Sequence, residues 1–233
     1  MALILSLESS VSGCSVALHE DGRLLGVECD PSERSAARSL AVLCTRLLER
    51  LAVAPQRLSA VAVAAGPGSY TGLRIASSTA KGLCFALDIP LIAVNSLLAL
   101  AEQVRTIEQW NGAGKQIRYY VPMFDARRME VYTMVLSADF EEVMPVRALV
   151  LDEQVFLPFL DQGNMVFFGN GAAKVAGVLA KPGVHILEGI EPSAVHMGLL
   201  AFKRFSAGLF EPVDGFEPRY LKEFMIGGKP VQG

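Results

Sequence analysis

Apolar and polar positions change their period several times along the chain, and each change marks an element. An apolar stretch over 2–9 predicts a first strand, ended by the turn Ser9-Ser10-Val11-Ser12-Gly13. Strands over 14–19 and 23–29 follow, joined at Glu20-Asp21-Gly22, where Asp-Gly is a strong hairpin signal, so the first three strands read as an antiparallel meander. A helix is expected from Ser32 to Leu51, with Ser32 as its cap. Ala60-Val61-Ala62-Val63-Ala64-Ala65 carries no charge and meets a Gly-Pro-Gly turn, which reads as a strand over 60–65 buried in a parallel sheet. Beyond the turn, Leu73, Ala76, Ala80, Leu83, Cys84 and Leu87 recur at helical spacing, predicting a helix over 72–87 capped by Ser69 or Thr71. A strand over 90–94 and a helix capped by Asn95 or Ser96 complete the first half.

The second half repeats that order. Strands are expected over 117–125, 130–137 and 143–150, then a helix after Asp152. A strand over 165–168 runs into Gly169-Asn170-Gly171 and a helix to Ala180; a strand over 184–187 and a helix from Ser193 to Ala207 follow. No residue-level repeat accompanies this, so only the order of elements recurs. The boundary is placed at the glycine-containing stretch around Arg105–Lys115. That divides the chain into residues 1–104, residues 105–207 and a tail, 208–233, expected to pack back on the first half.

Composition adds bounds to this picture. Of 233 residues, 52% are hydrophobic and 19% charged, as in a folded globular protein with a sizeable core, while the order of strands and helices makes the class α/β. The net charge of −3 and the lack of a dense Lys/Arg run argue against nucleic-acid binding by the chain alone. A folded patch drawn from Arg34, Arg38, Arg46, Arg50 and Arg57 remains open. Cys14, Cys29, Cys44 and Cys84 form no C-x-x-C pair and read as reduced thiols. Neither a signal peptide nor a membrane span is legible, so a cytoplasmic location is expected.

The turn Gly66-Pro67-Gly68-Ser69-Tyr70-Thr71-Gly72-Leu73-Arg74 is the most distinctive stretch. A glycine loop opening a helix suits anion binding, yet the Walker spacing is absent, and the dinucleotide pattern fails at Thr71. A tight strand-to-helix connection explains the glycines equally well. The same string closely resembles the signature of the bacterial TsaB (YeaZ) family. Leu7-Glu8-Ser9-Ser10, the run from Asp125 to Tyr132, Gly169-Asn170-Gly171-Ala172 and Pro218-Arg219-Tyr220-Leu221 match the same family in the same order.

The resemblance implies two ribonuclease-H-like subdomains of the actin, sugar-kinase and heat-shock-chaperone (ASKHA) superfamily, an architecture to which the repeated element order also points. It implies a noncatalytic partner of TsaD, the threonylcarbamoyltransferase, acting with the ATPase TsaE to form threonylcarbamoyladenosine beside the anticodon of tRNAs that read codons beginning with A. It further implies a heterodimer with TsaD through the first two helices; the charge balance leaves tRNA contacted only indirectly, and a third option is a homodimer on the same small-residue face when TsaD is absent. Small residues on these helices suit close helix packing, and Ser35, Arg38, Ser39, Arg74, Ser77, Ser78 and Lys81 are the expected interface residues.

No catalytic, cofactor-binding or metal-ligating residue is assigned. Glu8 occupies the position where superfamily relatives place a metal-orienting carboxylate, but a single Glu at a strand end also serves as an ordinary hydrogen-bonded side chain. TsaD carries H-x-x-x-H on its first long helix, whereas the corresponding helix here, from Ser32 to Leu40, has no histidine. His19, His185 and His196 lie on three separate elements. Asp125, Arg127, Arg128 and Glu130 cluster at a hairpin turn that reads either as an anion or partner contact or as a surface ion-pair network. The competing function is an independent ATP-binding enzyme or metallopeptidase-like protein of the same superfamily.

Overall fold

The computed structural model describes residues 1–32, 36–107 and 117–221, together with the backbone at 225–226 and 229–230. The chain divides into two compact units, Met1–Ala99 with Pro192–Gly233, and Leu100–Glu191.

The first unit is built on β1 (Leu3–Glu8), β2 (Cys14–Glu20), β3 (Arg23–Asp30), β4 (Ala60–Ala64) and β5 (Leu91–Val94). Their order in the sheet is β3-β2-β1-β4-β5. Strand β1 pairs antiparallel with β2 and parallel with β4, so Leu7 lies between Val16 and Val63. Every residue of β1 and β4 is buried, which explains why neither strand alternates with polar residues. Alternation persists in side-chain size. Leu3, Leu5, Leu7, Val61 and Val63 pack with Leu40, Leu43, Leu47, Ala76 and Ala80, which belong to α1 (Ala36–Arg50) and α2 (Tyr70–Leu87). Ile4, Ala60, Ala62 and Ala64 pack instead with Ala194, Met197 and Ala201. The alanines leave room for a 3₁₀ turn (Ala194–Met197) and α5 (Gly198–Ser206) to lie close on that side.

Grouping α5 with the first unit differs from the boundary at 207 that the element order suggested. The reason is packing: α5 rests on β1 and β5, and Ala201 is buried in the first unit's core. The segment from Ser193 also starts as 3₁₀ rather than α-helix. The Ser193 hydroxyl accepts from the Val195 N–H, and Gly198 lies against the His19 ring with no space for a Cβ.

Helix α3 (Ser96–Arg105) leads out of β5. The second unit contains β6 (Ile117–Asp125), β7 (Glu130–Ser137), β8 (Glu142–Val150), α4 (Glu153–Leu160), β9 (Asn164–Phe168) and β10 (Val184–Leu187). Its sheet order is β10-β9-β6-β7-β8. Read by position within each half, both sheets run third, second, first, fourth, fifth, so the repeated element order is a repeated topology. Val121, Met123, Met165 and Phe167 pack with Phe156 of α4 and Val175, and the rings of Phe156 and Phe167 meet edge to face at 5.2 Å. The helix expected to reach Ala180 is a 3₁₀ turn, Ala172–Gly177. The boundary stretch from 108 to 116 lies outside the described residues.

Candidate functional site

The glycine turn is knitted to the β1–β2 loop. The Ser69 N–H donates to the Ser10 carbonyl oxygen at 2.7 Å, and the Ser9 hydroxyl donates to the Gly72 carbonyl oxygen at 2.7 Å. At Gly68 a side chain would collide with the Ser10 carbonyl, and at Gly72 with the Ser9 carbonyl. Both glycines are therefore required by close backbone approach. Gly66 has φ +97° and exchanges hydrogen bonds with Ser96, whose hydroxyl accepts from its N–H at 3.1 Å and whose N–H donates to its carbonyl at 3.1 Å. The Gly66–Pro67 peptide is cis. Ser69, rather than Thr71, caps α2, accepting from the Gly72 N–H at 3.3 Å, and Thr71 is exposed. A backbone donor that could face an anion at this loop, the Ser69 N–H, is already engaged by the chain itself.

Glu8 closes β1 beneath this junction. Its Oε1 accepts from the Ser10 N–H at 2.5 Å, while Oε2 has no hydrogen-bond partner among the described residues. Burial pushes its carboxyl above the ordinary range, against the opposing pull of the Ser10 hydrogen bonds. His19 is also buried, with Nε2 3.1 Å from the Val195 carbonyl oxygen and Nδ1 3.3 Å from the Ser6 hydroxyl. A neutral ring protonated at Nε2 satisfies both contacts, and burial lowers its pKa. Among the described residues, no group of three or more His, Cys, Asp or Glu side chains is arranged to hold a metal ion.

The expected interface residues separate into three sets. Arg38, Arg74 and Ser78 face solvent. Arg38 lies 4.0 Å from Asp30, and Arg74 donates to the Tyr70 hydroxyl at 2.6 Å while sitting over the Tyr70 ring. Ser39 and Lys81 are half-buried and engaged within the chain. The Ser39 hydroxyl donates to Asp30 at 2.6 Å. Hydrogen bonds from Ser32 and Ser39 hold the Asp30 carboxyl down at about 2. The Lys81 ammonium donates to the Asp214 and Phe216 carbonyl oxygens at 3.0 and 3.3 Å. Ser77 is a correction, because it turns inward and is only 4% exposed. Ser35 lies outside the described residues.

Two features of this face were not legible beforehand. Residues 213–220 strap across the start and middle of α2: Arg219 N–H donates to the Ala65 carbonyl at 2.8 Å, Phe216 is buried in the core, and Tyr220 packs on Tyr70 at 4.8 Å. The Pro218-Arg219-Tyr220-Leu221 string was the available signal, but its docking place needed the third dimension. The second feature is an apolar groove of about 490 Å³ between α1 and α2, lined by Ala41, Cys44, Leu48, Thr79 and Leu83 with the loop Ala52–Pro55. Beyond it α2 exposes Thr71, Arg74, Ser78 and Gly82, ending at Phe85, which is 86% exposed.

Two mixed sheets of one topology, flanked by helices, define an α/β fold similar to that of the ethanolamine utilization protein EutJ from Carboxydothermus hydrogenoformans, which superposes with a TM-score of 0.51 at 9% identity over 86% of this chain and 89% of that one. A family described as "TsaD: tRNA N6-adenosine threonylcarbamoyltransferase" matches residues 18–158. The chain is 42% identical over 108 residues to the tRNA threonylcarbamoyladenosine biosynthesis protein TsaB of Bacillus subtilis, a match covering 45% of this chain and 43% of that protein. It is 27% identical to the Escherichia coli TsaB over 231 residues, 94% of each chain. The structure of YeaZ from Pseudomonas aeruginosa superposes with a TM-score of 0.77 at 29% identity, covering 95% of this chain and 100% of that one. The chain belongs to the TsaB (YeaZ) family, within the wider family named for the transferase. No helix among the described residues is long and apolar enough to cross a membrane.

Proposed function

We propose that this protein is a noncatalytic partner of the TsaD threonylcarbamoyltransferase in the cytoplasm, needed together with TsaE for threonylcarbamoyladenosine formation beside the anticodon of tRNAs that read codons beginning with A. Pairing runs through α1 and α2. The observation that carries this reading is their outward face. Ala37, Ala41 and Thr45 on α1, with Ser78 and Gly82 on α2, present small side chains to solvent, while Val42 and Phe85 stand 52% and 86% exposed beside them. Small residues let helices of a second protein approach closely, and exposed apolar side chains flanking them mark a surface that another protein covers. The names carried by the relatives, and the match to a family named for the transferase itself, support a partner of related fold. A site built by TsaB and TsaD together would then receive TsaE, and the same face would support a homodimer when the transferase is absent.

The experiment is size-exclusion chromatography with light scattering on the chain alone and mixed with TsaD from the same organism. A one-to-one heterodimer, replacing any homodimer, is expected. Failure to assemble even with nucleotide and TsaE present would remove this reading and turn attention to ATP binding by the lone chain.

A further inference from the structure

The hairpin between β6 and β7 carries an unusual pair. Arg127 and Arg128 both adopt left-handed backbone conformations, with φ of +72° and +48°. The other non-glycine residues of this kind among those described, Asp21, Ala52, Asp88 and Phe140, occur singly. A turn closed by the Glu130 N–H on the Arg127 carbonyl at 3.0 Å puts Arg128 at its first central position. Glycine or asparagine would meet these backbone demands without the crowding that a long side chain's Cβ brings. Two adjacent arginines held there against local preference point to a use for the side chains, since strained backbone concentrates where function maintains it.

The surroundings leave those side chains available. Both arginines are exposed, and among the described residues no ion pair or side-chain hydrogen bond holds either guanidinium. The neighbouring carboxylate is occupied elsewhere: Asp125 Oδ1 takes the Lys174 ammonium at 2.7 Å and the Arg127 backbone N–H at 2.6 Å. Lys174 also donates to the Glu130 carbonyl oxygen at 2.9 Å. The base of the hairpin is fixed further by Asn170, whose Oδ1 accepts from the Asp125 N–H at 2.9 Å. Gly171 lies so near the Phe124 backbone that a Cβ would stand 2.9 Å from its carbonyl carbon. A fixed base thus presents two guanidiniums that no ion pair or side-chain hydrogen bond engages among the described residues, with Met129 46% exposed beside them.

We propose that this hairpin tip contacts the phosphate backbone of tRNA within the assembled complex, Arg127 and Arg128 each taking a phosphate. The proposal rests on the partner reading above and goes beyond it, since that reading has tRNA contacted only indirectly. Net charge does not oppose it: a chain at −3 lacks overall attraction for RNA, and a local pair of cations acts once other components have brought the RNA close. RNA fits better than an acidic protein segment. Neighbouring residues of a strand point to opposite faces, whereas a nucleic-acid strand offers a phosphate at each successive nucleotide to guanidiniums on adjacent residues. The planar fork of arginine matches phosphate oxygens in pairs.

The test is fluorescence anisotropy of a labelled, transcribed tRNA titrated with the complex of this chain and its transferase, between about 50 and 200 mM salt. Two variants are compared: R127N/R128G, which removes both charges and suits the turn, and R127K/R128K, which keeps them. The Asn-Gly variant should bind tRNA about tenfold more weakly, with a log–log salt slope reduced by about two. It should also melt no lower than the parent and co-elute normally with the transferase, and the lysine variant should keep the slope. Unchanged affinity and slope in the Asn-Gly variant would overturn the proposal. So would weakened co-elution with normal tRNA binding, which would assign the tip to a protein contact. Should the parent chain not assemble with the transferase, the partner reading fails at co-elution, before any tRNA is added, and the proposal, which places the contact within that assembly, falls with it.

Discussion

A methyl group at Gly72 would run into the Ser9 carbonyl oxygen, and one at Gly68 into that of Ser10, so the β1–β2 loop and the glycine turn must separate to admit either. Gly72→Ala should cost about 3 kcal/mol, read as a lower urea midpoint at an unchanged denaturant slope. Gly82 on the same helix meets nothing within 4 Å, so Gly82→Ala should instead add up to about 1 kcal/mol. The buried ionisable groups predict opposing pH slopes. Glu8 has a raised folded pKa, so its contribution is fully present below the unfolded value of 4.5 and is lost as pH rises through the folded one. Glu8→Gln should therefore flatten that decline and raise the thermal midpoint at neutral pH. His19 has a lowered folded pKa, so stability falls as pH drops below 6.5 toward that value. His19→Gln should lose that acid sensitivity in denaturation followed at pH 7.5 and 5.5. The sequence shows why these residue types suit such places, but choosing among them takes long-range partners. Asn95, not Ser96, caps α3 through the Leu97 and Leu98 N–H groups, because the Ser96 hydroxyl is needed at Gly66.

Helix α2 serves two surfaces at once. Leu73, Ala76, Ala80 and Cys84 enter the core, as their spacing foretells, and the opposite ridge remains in solvent. Periodicity identifies the inward stripe well because burial repeats every turn. It places the edges poorly, since Ser77 is small and polar yet buried, and Lys81 is drawn sideways by the strap. Bulky replacements at Ser77 or Ala80 would therefore disturb the core before they disturbed any partner. Ser78→Arg and Gly82→Arg are the cleaner tests of the outward face. Each should leave the melting temperature near that of the parent while weakening association with TsaD by about tenfold or more in light-scattering titrations. Normal affinity in both would argue against pairing through this ridge.

At the scale of the molecule, the repeated strand order was legible because hairpin signals, buried runs and helix periods recur in both halves. The pairing of strands into two sheets of one topology follows from it. The destination of α5 was not legible, because it carries an ordinary amphipathic pattern that fits either half. Phe216 anchors the strap in the first core at 7% exposure. Phe216→Ala should cost about 3 kcal/mol and show faster proteolysis within the strap. The placement of α5 and the strap also bears on synthesis. The sequence of the second unit is continuous, Leu100–Glu191, whereas the first unit uses residues from both ends. During translation the half that begins first must wait, its small-residue sheet face uncovered, until residues beyond Pro192 emerge. The half made later has its own segment available sooner, so the ribosome reverses the order in which the two units can be completed.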